Sequence, residues 1–498
     1  MPRAPLIGNA YQERSIIAGA QETINLYAEF NGNDNGADPV APTPFTYYPT
    51  PGTQNFGAPS DPVDYARNRC TYRTSIGTAY TVIGPKVYSV QPSGALVFIG
   101  AIVDRPSQII MADNGLAAVL VDGQQGWAID LATNDFGEII DASFYGADFV
   151  VLLDSFFVFN RPATNQFYIS LSLVDFSMLI GGTAFDPLDI AAKSGSADPI
   201  VAILTYQKQL WLVGALTTEI WIGTGAADFY FQLVQGAYID HGCIAPFSAA
   251  NTDVVGIWLM QDRAGKNMVV QTDGYGVKDV GTPYLVKRFN SFADTSDAIG
   301  FFFQQEDHAF YVLIFPTANE TWMYHLKTKK WNRWCFLDIN TGALNRSRAN
   351  CGMFFNSQNI IGDWETGKLY YLKSNIYTDV ASDPETSTPI VRIKTFYHMV
   401  DEEYSRVVYN SFDADMQVGE QDPTIETVPD VLLSWSDDRG RTYGFPVTQS
   451  MGKGGQFLTT ISWSRLGMAR DRVFKLQWSA PIETALNGGF CTMKRART

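Results

Sequence analysis

Residues 198–246 read DPIVAILTYQKQLWLVGALTTEIWIGTGAADFYFQLVQGAYIDHGCIAP, and residues 251–282 continue NTDVVGIWLMQDRAGKNMVVQTDGYGVKDVGT. VAILTY, QLWLVGA, TEIWIGT and FYFQLV are four short runs rich in β-branched and aromatic side chains, divided by glycine or polar turns, as β-strands are. The words Leu210-Trp211-Leu212-Val213 and Glu219-Ile220-Trp221-Ile222 are too apolar for a sheet with one wetted face. They fit a sheet packed on both faces. Four short antiparallel strands followed by another such set is the pattern of a propeller blade.

The same rhythm runs outward in both directions. From residue 67 the runs CTYRT, AYTVI, KVYSV and ALVFI form one set, and QIIMAD, AAVLVD, GWAIDL and GEIID form the next. Asn114-Gly115 and Asp122-Gly123 are the hairpin signals in the second set. DFVVLLD, FFVFN and FYISL follow, then a polar connection over residues 187–198. Beyond the opening stretch lie IGFFFQ, AFYVLIF, TWMYHL and WNRWC, and a weaker set with GMFFN, NIIGDW and KLYYLK. The expectation is all-β: a propeller-like domain of six or seven four-stranded blades over residues 67–375. Two stacked β-sandwiches would give similar local patterns and are the competing architecture.

Residues 1–66 are irregular, with a turn-rich break NGNDNGAD at 31–38 and a proline-rich stretch at 39–51. They are expected to form an extended N-terminal docking arm. Residues 376–390 read as a polar linker. Residues 391–498, with VRIKTFYHMV, RVVYNSFDADM, VLLSWS, GQFLTTISW, VFKLQW and GFCTMK, are expected to form a smaller C-terminal β-sandwich.

Composition narrows the function. Hydrophobic residues make up 46% of the 498 and charged residues 17%, so the chain has material for sizeable cores. With 36 basic against 51 acidic residues the net charge is −15, and the basic runs are short: Lys327-Thr328-Lys329-Lys330 and Lys494-Arg495-Ala496-Arg497. Wholesale neutralisation of nucleic acid phosphates is not expected from such a surface. Five scattered cysteines (Cys70, Cys243, Cys335, Cys351, Cys491) fit buried thiols in a reducing compartment. The first residues lack a signal-peptide core, and no apolar run has the length of a membrane span, so a cytosolic, soluble product without membrane insertion is expected.

Residues 436–443, SDDRGRTY, fit the pattern S-x-D-x-G-x-T-aromatic of an Asp-box. In such a turn the carboxylate of Asp438 accepts loop N–H groups, Gly440 takes positive φ, and Tyr443 packs beneath. Asp-boxes recur in sialidase propellers, so a propeller glycosidase is a rival; the bland alternative, a turn that only folds, is preferred here. His241-Gly242-Cys243 offers two metal-ligand types without partners nearby. Asp401-Glu402-Glu403 and Asp437-Asp438 read as solvated charge. Zincin, nucleophile-elbow, Walker and C-x-x-C motifs are absent from the sequence. No catalytic residue, metal site or cofactor is assigned.

The order of words resembles the packaged-DNA stabilisation, or tail nozzle (hub), proteins of short-tailed bacteriophages. The resemblance rests on Pro5-Leu6-Ile7-Gly8 with Ser15, Asn25-Leu26-Tyr27-Ala28-Glu29, Thr50-Pro51-Gly52, Met111-Ala112-Asp113-Asn114-Gly115 and Val121-Asp122-Gly123. It continues through Asn160-Arg161-Pro162, Phe167-Tyr168-Ile169-Ser170 and Phe185-Asp186-Pro187-Leu188. Its densest part is Leu210-Trp211-Leu212-Val213-Gly214, Thr218-Glu219-Ile220-Trp221, Thr224-Gly225 and Gly242-Cys243. It covers residues 1–290 well and the rest loosely, and residues 31–44 depart from it as an insertion. The resemblance implies a non-enzymatic structural component of the virion tail, made and assembled in the bacterial host cytoplasm. It also implies a homo-oligomer, expected to be a hexamer, below the portal and its adaptor ring, extending the channel for genomic double-stranded DNA and retaining that DNA without tight binding. A tail needle or plug and tailspikes or fibres are the further partners implied. A receptor-binding tail protein is the other rival, although such proteins tend to be trimers with fibrous repeats.

Overall fold

The computed structural model describes residues 12–31, 45–226, 228–262, 265–380, 387–420 and 428–496, together with the backbone of residues 3–4. The family-like opening at 5–8, residues 32–44 of the insertion, residues 381–386 of the expected linker and Arg497 lie outside the described residues.

Seven four-stranded antiparallel sets stand among the described residues. Blade one is Asn68–Arg73, Ala79–Ile83, Lys86–Val90 and Leu96–Ala101; blade two is Ile110–Asp113, Ala117–Val121, Gly126–Asp130 and Phe136–Glu138. Blade three is Val150–Leu153, Phe156–Asn160, Gln166–Ser170 and Phe185–Ala192; the last strand occupies part of the stretch that the sequence suggested was a connection. Blade four is Ile200–Tyr206, Gln209–Gly214, Thr218–Gly223 and Phe231–Ile239, and blade five Ala250–Asn251, Gly256–Gln261, Asn267–Asp273 and Gly276–Asp279. Blade six is Ile299–Gln305, His308–Phe315, Glu320–His325 and Lys330–Arg333. Blade seven takes Ala349–Phe355, Gln358–Asp363 and Leu369–Lys373 and borrows its fourth strand, Gly52–Gly57, from near the N-terminus. The first strand of each blade packs on the first strand of the next, and that of blade seven returns to blade one, so the ring closes. This is a propeller and not a pair of stacked sandwiches.

Packing on both faces explains the apolar words. Leu210, Trp211, Leu212 and Val213 are fully buried, with Trp211 facing Ile220 across the blade. Burying one such side chain contributes roughly 1.5–3 kcal/mol, and every blade repeats the arrangement. Several first hairpins turn on two residues with positive φ: Asp154-Ser155, Gln207-Lys208, Glu306-Asp307 and Asn356-Ser357. That is the type I′ geometry, whose twist matches the flanking strands.

The described residues among the first sixty are woven into both bodies, where the sequence had suggested an arm outside them. Gly52–Gly57 closes blade seven, with Thr53 facing Leu372. Gly52 is required there, since a Cβ would sit 2.3 Å from the Ile376 carbonyl oxygen. Leu26–Phe30 and Phe45–Pro49 join a sandwich sheet with Val407–Met416, Ile461–Ser464 and Leu486–Arg495. Thr23–Ile24 has the more unusual place. Ile24 pairs parallel with Arg333 of blade six and antiparallel with Ile393 of the sandwich. Blade six therefore runs without a break into Arg392–Thr395, Asp471–Trp478, Asp430–Ser436 and Val447–Ser450. Propeller and sandwich share one ten-stranded sheet.

Asn25 sits at this splice, fully buried, with φ of 54°. Asparagine tolerates the left-handed region better than other residues with a Cβ. Lys394, also fully buried, donates to Thr23 Oγ1 at 2.9 Å and Tyr47 Oη at 3.2 Å, and burial pulls its ammonium down to about 7. Around the expected linker, Thr378–Val380 and Ser387–Pro389 pair as a small hairpin. GQFLTTISW is strand only from Ile461; Phe457 and Leu458 before it are exposed.

Candidate functional site

A propeller's axis is the first place to look for chemistry, because the first strands of all blades converge there. Here the lumen holds a cavity of about 350 Å³, lined by blades one, two, five, six and seven. Its walls mix Phe247, Phe301 and Met111 with Arg69, Gln108 and Asn350. The polar groups are turned to one another: Asn350 Nδ2 donates to Asn68 O at 2.7 Å and to Gln108 Oε1 at 3.3 Å. Cys351 Sγ donates to Asn68 Oδ1 at 3.1 Å. Burial pushes the Cys351 thiol up to about 12, so it is no nucleophile near neutral pH.

The residues singled out from sequence fall apart as sites. Cys243 Sγ is turned to the Ala245 carbonyl at 3.1 Å, with its thiol pushed up to about 12 by burial, and His241 does not share a ligand position with it. Among the described residues, no group of three or more His, Cys, Asp or Glu side chains could hold a metal ion. Asp401 and Glu403 of the acidic run both pair with Arg495 of the C-terminal basic run. In the other basic run, Lys327 reaches Asp307 at 3.9 Å, while Thr328 turns inward to His325 Nδ1 at 2.8 Å.

The Asp-box is a stapled turn, as its pattern implied. Asp438 Oδ1 accepts the Arg441 and Thr442 N–H groups at 3.0 and 2.9 Å, and Oδ2 accepts the Thr442 hydroxyl at 2.6 Å. Ser436 Oγ donates to Asp438 and accepts the Gly440 N–H at 2.8 Å. Hydrogen bonds from Ser436 and Thr442 hold the carboxyl well below the usual range. The turn follows Asp430–Ser436, in the sandwich half of the shared sheet, and the Lys475 ammonium caps the Tyr443 ring at 4.1 Å. A carboxylate with its oxygens engaged in this way is a fastening and not a general base.

One repeated device escaped the sequence reading. Glu219-Ile220-Trp221 and Glu320-Thr321-Trp322 lie near the start of the third strands of blades four and six. In each, the indole N–H donates to the glutamate two positions earlier, at 3.1 and 3.0 Å. Each glutamate also ties down the connection entering its own blade: Glu219 accepts Gly195 N–H at 2.6 Å, and Glu320 accepts Arg288 from the helix Pro283–Phe289. A search for E-x-W spaced by two blades would have found it. Next to Glu219, the buried ammonium of Lys193 reaches Asp198 and the Thr217 carbonyl, both at 2.9 Å. These clusters fasten blades together; none converges on an open cavity.

Comparison with known proteins accords with this architecture. The family profile described as bacteriophage P22 Gp10, beta-propeller, matches residues 48–377, and that described as bacteriophage P22 Gp10, beta-sandwich, matches residues 392–494. No curated protein matches the chain in sequence. Among solved structures, YCF48 bound to D1 peptide is similar at 10% identity and a TM-score of 0.36, over 65% of this chain and 97% of that one. The extracellular domain of a putative one-component system from B. thetaiotaomicron is similar at 10% identity and a TM-score of 0.41, over 85% of this chain and 56% of that one. The Myceliophteria thermophila Cps50 (Swd1) propeller domain is similar at 8% identity and 0.34, over 62% and 97%. At these scores the likenesses carry no weight for fold or function.

Proposed function

Because the chain belongs to the bacteriophage P22 Gp10 family of tail stabilisation proteins, we propose that it is the nozzle subunit of a short-tailed phage. In this reading six copies form a ring below the portal and its adaptor, extend the DNA channel, retain the packaged genome and release it on ejection. A needle or plug and the tailspikes or fibres dock on that ring, and assembly takes place in the host cytoplasm.

One observation carries the reading beyond family membership. The propeller's own lumen holds a cavity of about 350 Å³, roughly 9 Å across if round, which is too narrow for a duplex whose major groove alone is about 12 Å wide. A channel for DNA must then lie between copies, around the axis of a ring, and closed rings leave no unpaired assembly surface. The ten-stranded sheet shared by propeller and sandwich suits a wall, since backbone pairing runs from one body into the other. Net charge of −15 argues that retention works by obstruction, since a grip on phosphates needs cations.

Particles assembled without this chain test the reading. They should fill with DNA and then lose it, with tails missing the distal ring. Particles that keep their genomes without it would contradict a retention role.

A further inference from the structure

The seam between blades one and seven is where the ring closes, and arginines gather at one end of it. Arg67 stands just before the first strand of blade one and Arg346 just before that of blade seven, on the side where Asn350 bonds Asn68. Their neighbour Arg348 is neutralised: it donates to Asp363 at 2.7–3.1 Å and to Glu365 at 2.6 Å. Arg346 and Arg67 have no bonded counter-charge: Asp297 acts on Arg346, and Asp104 on Arg67, only through space. Among the described residues neither forms a salt bridge. Arg67 donates only to the Pro106 and Ser107 carbonyls, and Arg69 beneath it to Ser107 and to the Gly84 carbonyl.

Arg346 is the telling member. It is 8% exposed, lies over the Trp364 ring at 4.1 Å, and its Nη1 is buried without an acceptor. The Trp364 indole N–H is buried without an acceptor as well. Buried donors are nearly always satisfied, so two orphans side by side ask for a missing acceptor. Burial, with the like charge of Arg67, pulls Arg346 down to about 10, and Asp297 and Asp363 offset this only in part. A guanidinium fork presents donors in the geometry that a carboxylate or phosphate accepts.

We propose that Arg67, Arg346 and the Trp364 indole N–H form an oxyanion site across the seam of blades one and seven, which takes a phosphate or carboxylate group. The anion joins the first blade to the last, a second clasp beside the borrowed strand Gly52–Gly57. The site stands on its own geometry and not on the nozzle reading.

Thermal unfolding of the full chain in inorganic phosphate, acetate or chloride, at matched ionic strength, is the test. Ligand that binds only the folded state raises the midpoint saturably. Phosphate or acetate should do so above chloride, and which of them does so identifies the ligand class. Arg67→Gln and Arg346→Gln should each abolish the increment, and Arg346→Lys, which keeps charge but loses the fork, should reduce it. In the unaltered protein, the effective anion should also protect Arg67 from phenylglyoxal, read by mass spectrometry, a readout independent of whether the variants fold. Equal midpoints in all three salts, an undiminished increment in the glutamine variants, or unprotected Arg67 would overturn the proposal.

Discussion

Asn25 and Cys335 exchange two hydrogen bonds: the Cys335 N–H donates to Asn25 Oδ1 at 2.7 Å, and Asn25 Nδ2 donates back to the Cys335 carbonyl at 3.0 Å. The same Nδ2 reaches the Val391 carbonyl of the sandwich at 2.8 Å. One amide thus joins the end of blade six to the start of the C-terminal body. Asn25→Ala removes the acceptor and donors at a buried site and leaves a positive φ on alanine. The expected cost is about 2–4 kcal/mol, built from unsatisfied partners at about 1–3 kcal/mol plus backbone strain. Asn25→Gly should recover only the strain component. Urea unfolding of the two variants checks this; equal stability to the parent would deny Asn25 its role as the splice.

Acid should loosen the N-terminal strand from blade six. His325 donates from Nδ1 to the Ala28 carbonyl at 3.1 Å, leaving Nε2 to accept from His308 Nδ1 at 3.0 Å. Burial, then the neighbouring His308, pulls His325 down to about 4. The folded state disfavours the imidazolium, so this contribution is complete above the ordinary value near 6.5 and is lost as pH falls from there towards 4. The linkage is at most on the order of 3 kcal/mol. The chain should lose more stability than a His325→Gln variant does between pH 6.5 and 4. Parallel stability profiles for the two would contradict the assignment.

Much of this fold was legible because its signals are local. Alternating turns and doubly apolar runs such as LWLV mark blades that bury both faces, and SDDRGRTY carries its own staple. What could not be read depends on distant partners. Nothing in GTQNFG says that Thr53 will face Leu372, which is why blade seven looked weak: its fourth strand lies ahead of blade one. Thr23 and Ile24 are too few residues to look like a strand, yet they join two bodies. The first hairpins of blades three, four, six and seven turn on pairs such as Gln207-Lys208, which lack the Asn-Gly signature of their geometry. The arginine seam was invisible because Arg67 and Arg346 come within electrostatic range only when the ring closes.

Asp438→Ala should lower the melting temperature by a few degrees and reduce the yield of assembled tails. Asp438→Asn, which keeps one acceptor oxygen for the Arg441 and Thr442 N–H groups, should restore part of the loss. Differential scanning calorimetry of both variants is the measurement, and an unchanged melting temperature in the alanine variant would count against the staple.

Purified protein should bind duplex DNA weakly near physiological salt. Each phosphate neutralised adds about 0.9 to the slope of log affinity against log salt. With −15 net charge, and Lys327 and Arg495 of the two basic runs each paired with an acid, the slope should stay shallow, below about 2 in magnitude. A steep linear fall would point to a cationic lumen and to retention by adhesion.

If copies of this chain wall a DNA channel that none of them contains alone, as proposed, the ring is visible in images of the virion tail with the subunit labelled. The expected image has six labels around the tail axis below the portal and adaptor, with DNA density on that axis and every propeller lumen off it. Labels confined to the fibres, or arranged as threefold clusters at the tail tip, would contradict it.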